Sequence, residues 1–154
     1  MRPSPPATPG IQTWTTSNGE LKFWRPAPHV IVTRFQGTMF DAHLANLAML
    51  AIEDVIAREQ PRVDIFHDWE EMELYATQAR TLMTERAVPL AGNINSLNVM
   101  LGSKVVLMGV SLSSIKLGGI PTFTQRKEFE QAIQRAVQSA PGTFVLDPLP
   151  THSF

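Results

Sequence analysis

The densest group of side chains capable of chemistry is His67-Asp68-Trp69-Glu70-Glu71, with Glu73 two positions further on. A histidine beside four carboxylates is the material of a general acid/base pair or of a metal site. In open α/β sheets such sites lie at the carboxyl ends of strands, where helices begin. The same residues also read as a plain helix start. Asp68 would then cap the first turn, and Glu71, three positions on, would bond back to its amide. The acids would meet the positive end of the helix dipole. The helix start is the preferred reading, because neighbouring residues on a helix do not share a face. No second histidine stands nearby at ligand spacing either. Trp69 divides the same way: an exposed anchor for a partner, or a side chain packed over the helix entrance.

Other candidate motifs are weaker. The chain has no cysteine, which excludes disulfides, thiolate metal sites and cysteine nucleophiles. Gly102-Ser103-Lys104 lacks the glycine-rich approach of a phosphate loop, and Gly109-Val110-Ser111-Leu112-Ser113 lacks the second glycine of a nucleophile elbow. Asn93, Asn95, Ser96 and Asn98 could face a small ligand but fit a loop leading into a strand better. His29 and His43 are isolated. No catalytic residue, metal or cofactor is expected.

Composition narrows the function classes. The 154 residues are 44% hydrophobic and 18% charged, an ordinary globular balance. Thirteen Lys and Arg against fourteen Asp and Glu leave a net charge of −1. That argues against nucleic-acid binding and against a polybasic membrane anchor. The apolar run at 105–110 is far too short to span a bilayer. With no apolar leader after Met1-Arg2-Pro3-Ser4-Pro5-Pro6, a cytoplasmic protein is expected.

The elements that must position these residues follow from periodicity. Residues 21–24 and the β-branched 30–35 read as strands, with 24–29 the turn between them. Phe40, Leu44, Leu47, Ala48, Ala51 and Val55 recur at helical spacing, which predicts a helix over 41–59 ended by Pro61. Residues 62–67 form a strand parallel to 30–35. A helix from Asp68 to about Arg86 then presents Met72, Tyr75, Ala76, Ala79, Leu82 and Met83. A strand follows over 94–101, then a helix over 103–117 with Ser103 as N-cap and Gly118-Gly119 as its stop. A short strand at 122–124 and an amphipathic helix over 125–139 complete the order β-β-α-β-α-β-α-β-α. The fold class is α/β, a single domain with a mixed sheet of about five strands covered by about four helices. Proline density divides the chain into a flexible segment 1–18, a domain 19–140 and a tail 141–154.

This order resembles the STAS domain family of bacteria (sulfate transporter and anti-sigma factor antagonist). The resemblance covers roughly residues 20–138. It rests on Val63-Asp64-Ile65-Phe66-His67-Asp68-Trp69-Glu70, Tyr75-Ala76-Thr77-Gln78-Ala79-Arg80, Ser103-Lys104-Val105-Val106-Leu107-Met108-Gly109-Val110, and Thr122-Phe123-Thr124 before Phe129. It implies a non-enzymatic regulatory module that binds a kinase, an anti-sigma factor or a scaffold-like protein near the start of the second helix. The partner-binding residues would be Asp68, Trp69, Glu70, Glu71 and Glu73. The usual phosphorylatable Ser or Thr is absent from 67–71. A homodimer is compatible with this reading. The alternative is a small-molecule or lipid-binding module of the same fold, and last an enzyme using His67 and Asp68.

Overall fold

The computed structural model describes residues 10–59 and 62–139. Six strands lie in one sheet in chain order: β1 (Ile11–Thr16), β2 (Gly19–Ala27), β3 (Val30–Phe40), β4 (Val63–Tyr75), β5 (Ile94–Leu101) and β6 (Thr122–Phe123). The first three pair antiparallel, and β3 to β6 pair parallel. Helix α1 (Ala42–Glu59) connects β3 to β4, and α2 (Thr77–Ala87) with a 3-10 turn (Val88–Asn93) connects β4 to β5. Helix α3 (Lys104–Leu117) connects β5 to β6, and α4 (Arg126–Gln138) follows β6. The mixed α/β sheet covered by four helices is the architecture expected from the sequence.

Alternation along the strands sorts the core onto two faces. Val30, Val32, Phe66 and Met100 meet Phe129, Ile133 and Val137 of α4. Ile31, Phe35, Ile65, Val99 and Leu101 face the other way, toward α1, α2 and α3. The expected N-cap and stop of the third helix are both present. Ser103 Oγ accepts from the amide of Val106, and Gly118 takes the left-handed conformation, φ 82°, that ends the helix. Asp41 caps α1 through the amide of Leu44 at 2.8 Å. Its second oxygen accepts from Thr16 and Asn18, so the β1–β2 turn is fastened to the start of α1.

Three expectations need correction. Residues 11–16, expected within the flexible segment 1–18, form β1. Threonine-rich alternation suffices there because Ile11 and Trp14 reach opposite faces of the core. Residues 1–9, the tail 141–154 and Pro61 lie outside the described residues. The strand at 30–35 does not stop at Gly37 but continues to Phe40. The largest correction concerns Asp68, Trp69, Glu70, Glu71 and Glu73, which do not begin a helix. They continue β4, and the second helix starts only at Thr77, with no side-chain cap. Met, Glu and Leu favour helix locally, but the extension of β3 from Gln36 to Phe40 offers a parallel partner for residues 71–75.

If β1 belongs to the folded unit, Trp14→Ala should lower the unfolding free energy by about 2 kcal/mol, and deletion of residues 1–18 should lower it further. Urea denaturation reads both. A truncated chain that unfolds at the same urea concentration as the full chain would show that β1 adds no stability.

Candidate functional site

The middle of β4 is built around an irregularity. Arg34 of β3 pairs with Asp68, but Gln36 pairs with Glu71, so β4 holds one residue more than its partner over this stretch. Such a bulge re-aims side chains. Here Asp68, Glu70 and Glu71 all contact groups on the α4 side, whereas His67, Trp69 and Met72 face the helices α1–α3. The sequence cluster is therefore two separate sites, back to back through the sheet.

On the α4 side, Asp68 is 1% exposed. Both of its oxygens accept from Nη2 of Arg126 at 2.9 Å, and Arg34 Nε lies 3.9 Å away. Burial pushes the Asp68 carboxyl upward, and the two arginines oppose that shift. Arg126 Nε also donates to Glu70 at 2.8 Å. Arg34 donates to Glu71 at 2.7 Å, which with Gln36 holds the Glu71 carboxyl below its ordinary range. This is an ion-paired fastening of α4 to the sheet. Asp68 is not available to a partner, and Glu70 and Glu71 already answer arginines. Glu73 stays exposed near the strand end, where its carbonyl accepts from Ser103 at 3.4 Å.

On the other side, a cavity of about 70 Å³ lies between the sheet and α1–α3. Its walls are mainly apolar, among them Met72, Val99, Val106 and Val110. His67 lines it at 4% exposure, with Nδ1 2.6 Å from Thr33 Oγ1. The imidazole stacks on the Trp69 ring at 4.8 Å and 15°. Trp69 in turn packs against Phe40 at 5.7 Å, so it is a half-buried wall residue. Burial lowers the His67 pKa from 6.5 to about 4.

His67 and Asp68 thus point to opposite faces and do not converge into an acid/base pair. Among the described residues, no three His, Asp or Glu side chains are placed to hold a metal ion. Asn95 and Ser96 both donate to Asp64 Oδ1, at 2.8 and 2.7 Å, and so support β4 from β5. Sequence reasoning missed Arg34, Arg126, Thr33 and Arg80, the last a wall residue of the cavity. One signal was available: an arginine inside the apolar strand 30–35 demands a buried acid.

Two outcomes test this geometry. Arg126→Met leaves Asp68 buried with Arg34 alone and should cost about 3 kcal/mol. Asp68→Asn in that background should recover part of the loss, and undiminished stability of Arg126→Met by urea denaturation would mean that Arg34 alone balances the acid. For His67, the unfolded chain binds the proton near pH 6.5 and the folded chain only near pH 4. Its contribution is therefore complete above pH 6.5 and is lost as pH falls toward 4, by on the order of 3 kcal/mol. Denaturation midpoints measured across that window should fall more steeply in the wild type than in His67→Gln. Parallel curves would place the titration elsewhere.

No protein-family model matches the sequence, and no curated protein matches it. Among solved structures, the chain is similar to an uncharacterized protein of the DUF3478 family with a SpoIIAA-like fold from Shewanella loihica PV-4. The TM-score is 0.54 at 7% sequence identity, over 80% of this chain and 91% of that one. The strand order, the helices on both faces and this likeness together give the chain the SpoIIAA-like fold, that of the anti-sigma factor antagonists.

Proposed function

We propose that the protein is a non-enzymatic regulatory module that binds another protein, and that it docks through the outer face of α3. The fold supports a binding module. The observation that carries the docking face is the exposure of α3. Val105, Met108, Leu112 and Ile115 form one stripe at helical spacing and are 49, 67, 53 and 80% exposed. The inner face of the same helix is also apolar or small, with Val106, Gly109, Val110 and Ser113 buried. A helix apolar on both faces belongs between two surfaces, and the sheet supplies only one. Leu74, 47% exposed at the end of β4, follows Glu73, whose carbonyl meets Ser103 at the start of α3.

The charges of α3 are Lys104 and Lys116, one at each end, with no acid between them. A partner with an apolar strip flanked by carboxylates complements that pattern. The regulatory partner classes of this fold, a kinase, an anti-sigma factor or a scaffold, remain the expected ones. Asp68 and Trp69 leave the docking surface, since the first is buried under α4 and the second walls the cavity.

Met108→Glu and Ile115→Glu change outward-facing side chains and should leave circular dichroism and Tm near wild type. A partner captured by the wild-type chain, purified and re-bound as a binary complex, should bind either variant at least tenfold more weakly. Equal binding would place the interface elsewhere. Sedimentation of the chain alone, and with anionic vesicles, reads the other occupants. Self-association abolished by Ile115→Glu, or vesicle binding abolished by it, would replace a heterologous partner by a second copy or a lipid surface.

A further inference from the structure

One of the side chains lining the cavity beneath α3 carries a polar group that the fold itself leaves unanswered. Trp69 Nε1 is buried and has no hydrogen-bond partner. Buried N–H groups are almost always paired, and an unpaired one costs free energy on folding. His67 stacks beside it and is 96% buried, from its 4% exposure. Thr33 Oγ1 engages Nδ1 of that imidazole at 2.6 Å. With the Thr33 hydroxyl as donor, the ring proton sits on Nε2. In that tautomer the two stacked rings, which both line the cavity, carry one N–H donor each among mainly apolar walls. Arg80 of α2 lines the same cavity, and no ion pair of its side chain is found among the described residues.

We infer that this cavity is a binding site for a short-chain monocarboxylate with a compact apolar body. The Trp69 and His67 N–H groups receive the carboxylate oxygens, and Arg80 balances the charge. Size limits the ligand. On the scale where one water needs about 10–15 Å³, the cavity of about 70 Å³ admits roughly five or six non-hydrogen atoms. A branched four-carbon acid has that size, and a long acyl chain does not fit. The neutral state of His67 suits the role, because a neutral imidazole presents one donor and one acceptor, and with the Thr33 hydroxyl donating to Nδ1 the donor left over is Nε2. The site lies under α3, on the side opposite the proposed docking stripe, and does not rest on that reading.

The probe is isobutyrate, with isobutyramide as its neutral counterpart of the same shape. The indole N–H resonance of Trp69, assigned by its loss in Trp69→Phe, should shift saturably with isobutyrate. The Kd should be on the order of 1 mM or lower, consistent with so small a ligand. Trp69→Phe keeps the ring stack and removes the donor. It should weaken isobutyrate about tenfold while Tm stays near wild type. Arg80→Met should weaken isobutyrate by a similar factor and leave isobutyramide unchanged. Met108→Glu and Ile115→Glu should bind isobutyrate as the wild type does, which separates this site from the docking face. No saturable shift at millimolar isobutyrate overturns the site, leaving only water in the cavity. Equal binding of acid and amide in both the wild type and Arg80→Met overturns the carboxylate assignment. Undiminished binding by both Trp69→Phe and Arg80→Met overturns the placement in this cavity.

Discussion

A carboxylate that cannot reach water governs the centre of this protein. Asp68 is held between Arg126 of α4 and Arg34 of β3. A buried charge is tolerated only with partners of this kind. Meeting both arginines keeps β4 extended beyond position 68 and fastens the last helix to the sheet. The bulge opposite β3 is part of the same arrangement. It lets Glu70 and Glu71, adjacent in sequence, both meet arginines, while Trp69 and Met72 on either side of them face the opposite core. Gly102 belongs to it too, since any side chain there would run into the backbone of Glu70.

The two faces of the sheet consequently have different characters. The α4 face closes over Phe66, Phe123 and Phe129, whose rings meet edge to face at 5.9 and 5.5 Å. The other face is less completely filled. Tyr75 approaches α3 so closely that a Cβ at position 109 would lie 2.5 Å from its ring, which is why glycine stands there. Below that contact the cavity remains, with Val106 and Val110 as its roof. A chamber of this size is well under the roughly 300–1,000 Å³ of ordinary ligand pockets. That restricts any resident ligand to a few atoms.

The exposed stripe of α3 and the cavity with the unpaired Trp69 N–H lie on opposite sides of one helix. Ser113, buried on the inner side, shares a 2.7 Å hydrogen bond with Thr84 of α2. That polar contact ties α3 to α2 where most neighbouring contacts are apolar. A small ligand below α3 and a partner above it would therefore both bear on the placement of the same element.

Much of the fold was legible in the chain itself. The helices at 42–59, 104–117 and 126–138 carry their own signals: regular apolar spacing, Ser103 as cap, Gly118 as stop. The strand at 94–101 and the parallel crossovers follow from composition and order. The candidate site was not legible in the same way. Trp69-Glu70-Glu71-Met72-Glu73-Leu74 has the local chemistry of a helix start, and short-range rules read it so. Only the tertiary structure supplies the competing terms: a parallel partner in residues 36–40, an arginine 58 positions later in the chain for Asp68, and a second arginine on the neighbouring strand. Those contacts are long-range and leave no periodic trace. The sequence could bring His67 and Asp68 together as neighbours, but strand geometry sends adjacent side chains to opposite faces, and that alternation decided that they serve two different sites.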